Sequence, residues 1–452
     1  KATPFYERCF NDNNSYVRVG AGRSLEELLQ VAPDKALPFY EKGFNNKDSY
    51  VRASAARSLG KLAQVAPDKA LLFYEKGFND ENQYVRLVAA ESLGKLAQIA
   101  PDKAIPFYER CFNNKDPDVR VEAVGSLGSL AQVAPEKALA FYEQCFNDKD
   151  SDVKVVTVRS LGELAQIVPD KVISFYEKGF NDKNPAVRVM AAKSLGKLAQ
   201  VAPDKALAFY ERGFQSEDEN VRKATAESLG ALAQVAPDKA TPFYERCFND
   251  TDLDVRIGAA ESLRELAQVA PDKATSFYER CFNDEDPFVR IKAAQSLGTL
   301  AQAALDKALP FYEKGFNDKN PAVRIEAAES LWELAQVAPD KAISFYEKGF
   351  NDKDWTVREA TVESLRELAQ VAPDKAIAFY ERGLNDENSN VRLAVAGSLG
   401  ELASHFNYDF FKKIDAVLIN DYQLKEDDLN YCYVLLANLL EHKEDPAQFI
   451  KV

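Results

Sequence analysis

With only two histidines, His405 and His442, the chain has little material for acid–base chemistry at neutral pH. Both lie near the C-terminus, so a Ser-His-Asp or Cys-His constellation spread over the rest of the chain is unavailable. Of six cysteines, five fall at one recurring position: Cys9, Cys111, Cys145, Cys247 and Cys281. The same position is otherwise Gly43, Gly77, Gly179, Gly213, Gly315, Gly349 and Gly383. Exchange with glycine marks a slot for a small residue. It fits neither paired disulfides nor a metal cage, and it predicts reduced, packed thiols in a cytoplasmic protein. No Walker loop or metal-ligand spacing is present. Gly20-Ala21-Gly22 imitates a phosphate loop but follows no strand and lies inside a helical pattern. The chain therefore reads as a non-enzyme that takes no cofactor and no metal.

Two further rows invite a chemical reading. The triplet Phe39-Tyr40-Glu41 recurs along the chain. At helical period, Phe is expected in the core, Tyr at the core edge with its hydroxyl reaching outward, and Glu outside. Gln30 recurs as Gln64, Gln98, Gln132 and onward to Gln370, opposite the apolar stripe of its helix. A row of amides there could grip a peptide backbone. It could equally join neighbouring helices, and the structural account is the one preferred.

These positions are set by a repeat. Lys1 recurs every 34 residues through Lys375 without insertion, so twelve units fill residues 1–408. Each unit predicts two helices. In the second, Pro33 and Asp34 open a helix whose apolar face is Ala36, Phe39, Tyr40, Gly43 and Phe44. Asn45 is expected to end it, as a residue that tolerates left-handed backbone. Asp48 is placed to cap the next helix, which buries Val51, Ala55, Leu59, Leu62 and Ala63. Gly60 and the alanines keep that helix slim, so that neighbours can approach. Neither helix buries its apolar face alone, and stacking of units supplies the core.

The stretch Asp48, Val51-Arg52, Ala55-Ala56, Ser58-Leu59-Gly60 resembles the signature of short HEAT repeats, the HEAT-like or PBS-lyase type. It recurs as Asp116/Val119/Arg120 and Asp286/Val289/Arg290, while the tetratricopeptide Trp/Leu-Gly/Tyr pattern is missing. The resemblance covers about nine-tenths of the chain. It implies an all-α fold, a right-handed α-solenoid whose second helices line a concave binding face. It also implies a ladder between neighbouring units through the signature Asp and Arg. On that expectation Lys154, which replaces Arg, weakens one rung. Asn14, Asn82, Asn184, Asn320 and Asn388, which replace Asp, reduce others to plain hydrogen bonds.

The repeat fails from about His405, and residues 409–452 are expected to form a divergent helical cap. Opening in register on Lys1 predicts a segment of a longer protein, or a processed one. The net charge of −14 argues against a duplex nucleic acid partner, and no apolar run is long enough to span a membrane.

Function is sought where the copies differ. Two exposed rows of the second helices, those of Arg23 and Glu27, sum to +4 in units one to six and −8 in units seven to twelve. With the charged exceptions Glu26, Arg264 and Arg366 of the intervening glycine row, the sums become +3 and −6. The basic half presents Arg23 and Arg57, and the acidic half Glu329, Glu333, Glu363 and Glu367. Both tryptophans fall in the acidic half: Trp332 replaces glycine, and Trp355 stands at a helix start. These eight residues are the candidate partner-binding set. Tyr16, Tyr50 and Tyr84 form another aromatic row that either packs along the turns or contacts a partner. The leading reading is a scaffold that binds a protein or peptide. The rivals are a sensing segment of a multidomain signalling NTPase and a lyase- or glycosylase-type enzyme, which the acidity and the missing polar constellation oppose.

Overall fold

The computed structural model describes residues 3–402. Across them, every repeat folds as a helix pair and no strand is present among the described residues. The cap predicted for 409–452 lies outside the described residues, as do His405 and His442. The chain divides into two compact units, one ending at Ser228 and the other beginning at Leu229.

Repeat two shows how the sequence builds a pair. Its first helix is Pro33–Phe44, with Pro33 in the first turn where no backbone donor is missed. It ends at Asn45, but not through left-handed backbone: Asn45 has φ −92° and ψ 5°, and no described residue has positive φ. The asparagines act through their side chains instead. Asn113 and Asn147 donate from Nδ2 to the carbonyls of Glu109 and Glu143 at 2.8 and 3.0 Å in the last turn, where the Glu109 carbonyl also takes the Asn113 backbone N–H at 3.2 Å. Asp48 caps the second helix, with Oδ1 accepting from the backbone N–H of Tyr50 at 3.0 Å. That helix turns at Ser58, giving Ser49–Arg57 and Leu59–Val65. The same turn at serine recurs in most repeats, whereas Pro117–Val133, Ser151–Ile167, Pro185–Val201 and Ser389–Leu402 run unbroken.

The tyrosine of the triplet is deeper than the pattern predicts. Tyr40 is fully buried, and its hydroxyl turns inward to donate to the Ser58 carbonyl at 3.0 Å. Burial pushes the phenol far above its ordinary pKa, so it remains a donor at any working pH. The reason is packing: the next repeat covers it, with the Phe73 ring 5.4 Å from Tyr40 and 5.6 Å from Phe44. Phe345 sits likewise against Tyr312 and Phe316 in the second unit, at 5.3 and 5.8 Å. With water excluded, the hydroxyl needs an internal acceptor.

The ladder between repeats exists, but its acceptor is not the signature Asp. Arg52 donates from Nε and Nη2 to Asp80 at 2.7 and 2.9 Å, and from Nη1 to the carbonyls of Asn46 and Lys47 at 2.9 and 3.2 Å. Asp80 lies two residues before the capping Asn82, whose own oxygen is committed to the Tyr84 N–H at 2.9 Å. Cap and rung are thus separate jobs, and asparagine at the cap costs the ladder nothing. Arg324 and Asp352 repeat the bidentate geometry at 2.6 and 3.0 Å. Where the acceptor position is Asn46 or Ser216, the arginine falls back on the capping carboxylate through one bond, Arg18 to Asp48 at 3.3 Å and Arg188 to Asp218 at 3.1 Å. Lys154 makes a single contact to Asp182 at 3.1 Å, as its point charge requires.

The small-residue slot faces the second helix of its own repeat. A Cβ on Gly43 would lie 2.8 Å from the Cβ of Ala55. The cysteines in this slot are unpaired, and Cys111, Cys145, Cys247 and Cys281 are buried, while Cys9 is half-exposed. Burial raises all four buried thiols, Cys145 to about 12, so thiolate is scarce at neutral pH. Native alkylation with iodoacetamide should therefore label Cys9 and spare these four, which should react only after denaturation. Peptide mapping of the labelled protein checks this, and rapid native labelling of Cys281 would contradict the packing.

Candidate partner-binding surface

On the exposed side of the second helices, the glycine row is a row of seats. A Cβ on Gly60 would lie 3.1 Å from Cγ of Lys95, and one on Gly230 would lie 2.7 Å from Oε2 of Glu265. One on Gly298 would collide with the Glu333 carboxyl. These glycines are therefore roofed by a side chain from the next repeat, as are Gly94, Gly128 and Gly162. This is what the glycine accommodates, beyond the close approach of helices that a slim side predicts.

The row is interrupted at Glu26, Arg264, Trp332 and Arg366. Arg264 takes a glycine seat and pairs with a small neighbour, Nε donating to Thr299 Oγ1 at 3.1 Å. Trp332 takes the next altered seat, and its indole is 41% exposed. Glu367, the residue that would roof a glycine there, is instead held by Nε2 of Gln336 at 3.2 Å. The displaced roof leaves a cavity of about 270 Å³. Glu329, Trp332, Glu363, Arg366 and Glu367 wall it, with Ala360 and Ser364 beneath. Four of the eight candidate residues, Trp332, Glu329, Glu363 and Glu367, thus meet in one place.

Glu333 does not join them. It is 6% exposed, folded over Gly298, and is not offered to a partner as its row predicts. The reason is the seat itself: a glycine in repeat nine gives the Glu333 side chain somewhere to lie down. Burial pushes its carboxyl up to about 7, partly offset by its backbone hydrogen bond and by Arg264. Glu329 is also pushed up to about 7, first by burial and then by Glu326 and Glu363. Glu326, which the sequence reading passed over, takes a hydrogen bond from Gln295 Nε2 at 2.9 Å.

Trp355 is 36% exposed at its helix start and does not line this cavity. In the first unit, Arg57 lines a separate cavity of about 310 Å³ with Lys61, Lys95, Glu26 and Glu91, and Arg23 is not part of its wall. Arg57 also donates to the Tyr84 hydroxyl at 3.2 Å. Tyr50 and Tyr84 are exposed with ring centroids 6.2 Å apart and planes inclined at 57°, so they meet at a tilt along the surface. Phe288 occupies the same row in repeat nine, is 58% exposed, and was missed because no neighbouring repeat shares its aromatic character. The glutamine row is not a continuous ladder. Gln98 reaches Gln132 at 3.4 Å, whereas Gln336 turns to Glu367. No group of three or more His, Cys, Asp or Glu side chains among the described residues could hold a metal ion. No described helix is long and apolar enough to cross a membrane.

Comparison with known proteins adds the family. The family model for HEAT repeats matches residues 73–162, 138–230, 173–264, 211–298 and 274–366, and a second HEAT-repeat model matches 377–406. No curated protein sequence matches. Among solved structures, a chain from the Kap95p–RanGDP structure is similar at TM-score 0.62 and 13% identity, covering 97% of this chain and 66% of that one. One from the Kap95:Nup1 complex is similar at TM-score 0.64 and 12% identity, covering 98% and 67%. The karyopherin Kap121p, bound to the extreme C-terminus of the protein phosphatase Cdc14p, is similar at TM-score 0.53 and 15% identity, covering 97% and 53%. At such identities the likeness is one of fold, an α-solenoid of helix pairs. The chain spans between about half and two thirds of the length of these proteins.

Proposed function

The chain belongs to the HEAT-repeat family, and from that premise we propose that it is a non-catalytic scaffold binding a protein or peptide on the surface of its second helices. The carrying observation is Trp332: a large apolar ring, exposed, in a row that otherwise holds glycine or a charged residue. A partner that covers the indole removes its apolar area from water, and aromatic anchors of this kind dominate interface energetics. That Kap95p and Kap121p were solved with protein partners supports the reading. So does the acidity, which disfavours nucleic acid. The unpaired thiols favour a reducing compartment, the cytoplasm.

A photo-crosslinking residue placed at position 332 tests the surface, with position 341 on an exposed first-helix start as control. Discrete protein adducts are expected from 332 and not from 341. Adding Glu329→Lys and Glu363→Lys should abolish them. Equal adduct formation at both positions, or adducts indifferent to the charge reversals, would remove this surface from the reading.

A further inference from the structure

We propose that the cavity beside Trp332 receives one lysine or arginine side chain from a basic segment of the partner. The inference rests on the scaffold reading above and adds the partner's chemistry. At about 270 Å³ the cavity suits one long side chain, being below the usual size of small-molecule sites. An indole face attracts a cation by its quadrupole, and tryptophan is the best of the aromatic rings for this. Glu329, Glu363 and Glu367 stand around the mouth, ready for charge-assisted hydrogen bonds to an ammonium or guanidinium. Arg366 is the one cation in the wall, so the lining carries an excess of carboxylate.

Other occupants fit worse. An anion would meet three glutamates. An apolar side chain would strip water from carboxylates and give nothing back. A bare metal ion lacks a suitable ligand group here.

Beyond Arg366, the helices packed around the cavity bring more carboxylate than cation. On the helix Pro321–Glu329, Glu326 and Glu329 lie close enough for one to raise the other, and Glu363 adds to this from Trp355–Glu363. Glu359 on that neighbouring helix is likewise raised, by burial and by Glu363. On the other flank, Pro287–Gln295 contributes Gln295, bonded to Glu326, and Lys292, which is committed to Glu261 at 2.8 Å. Beyond the turn, Glu333 is buried and adds no positive charge. The proton held by Glu329 near neutral pH stands where a partner's cation would stand, so binding should release it. Affinity should then rise with pH.

The test uses the full chain and a short fluorescein-labelled peptide carrying arginines, against the same peptide with citrulline, read by fluorescence anisotropy. The arginine peptide is expected to bind at least about tenfold more tightly than the citrulline peptide. Trp332→Ala and the pair Glu329→Gln/Glu363→Gln should each remove most of that difference, with unchanged circular dichroism. Glu217→Gln, an exposed loop change in another repeat, should remove none of it. Binding should tighten several-fold from about pH 6 to about pH 8, and this slope should flatten in Glu329→Gln. Equal binding of the two peptides, or full affinity in Trp332→Ala, would overturn the proposal. If adducts at position 332 persist while the peptides bind equally, the scaffold reading stands and the basic partner does not. If position 332 gives no adducts either, both fall.

Discussion

Asp352→Ala is expected to destabilise the second compact unit by about 3–5 kcal/mol, more than any exposed ion pair in the chain. The carboxylate takes two bonds from Arg324, at 2.6 and 3.0 Å, with side chains 9% and 6% exposed. Its Oδ1 also accepts the Asp354 N–H at 2.9 Å, which sets the loop before the next helix. Removing it leaves a buried guanidinium with the carbonyls of Asp318 and Lys319, at 2.9 and 3.4 Å, and at most one fallback bond to the capping Asp354, of the kind Arg18 makes to Asp48. Asp352→Asn should cost less, because an amide oxygen keeps the loop bond and one bond to Arg324. By contrast, neutralising Glu347, which faces Arg382 on exposed first helices at 2.7 Å, should cost under about 1 kcal/mol. A helix-pair array communicates only with its neighbours, so the loss should be local. Hydrogen exchange should accelerate first in Pro321–Glu329 and Pro339–Phe350, and urea unfolding gives the magnitude. A loss below about 1 kcal/mol would show that water relieves the rung.

The second large effect is a dependence on pH that runs opposite to ordinary acid denaturation. Glu333 has its carboxyl raised from 4.5 to about 7 by burial. The folded chain therefore keeps a proton that the unfolded chain releases. The associated stability is fully present below about pH 4.5, declines as pH rises, and is gone above about 7. Glu329 titrates over the same window but is the more solvent-accessible of the two, so most of the measurable effect belongs to Glu333. At about pH 8, Glu333→Gln should stabilise repeats ten and eleven by on the order of 1–3 kcal/mol and flatten the profile. At the acid end the sign reverses through other groups. Asp354 is lowered by the Thr356 hydroxyl and backbone N–H, and its contribution is lost as pH falls below its ordinary value. Thermal unfolding of the wild type and the variant across this range measures both. A variant no more stable than the wild type at high pH would mean that Glu333 reaches solvent.

How much of this was written in the sequence differs by scale. The 34-residue period, the two helices per unit, the apolar stripes and the caps at Asp48 and its equivalents are local, set by spacing and by side chains bonding their own backbone. The family resemblance follows from the same local signature, and the helix pairs are as expected. Features that depend on the neighbouring repeat were not legible. The rung acceptor is Asp80 and not Asn82, because an arginine's reach across a repeat boundary is settled only when two loops are docked. The Tyr40 hydroxyl points inward because the next repeat closes over it.

The candidate site divides along the same line. Charge rows and the Gly-to-Trp change at Trp332 drew attention to repeats ten and eleven from composition alone. The sequence also determined that whatever happens there must proceed without histidine, unless the C-terminal segment supplies it. Only tertiary structure decided that Glu329, Trp332, Glu363 and Glu367 wall one cavity while Glu333, one residue from the indole, is buried. The difference lies in what sits in the preceding repeat. Gly298 leaves a seat that Glu333 fills, Trp332 leaves none for Glu367, and a single helix cannot show which of its neighbours has room.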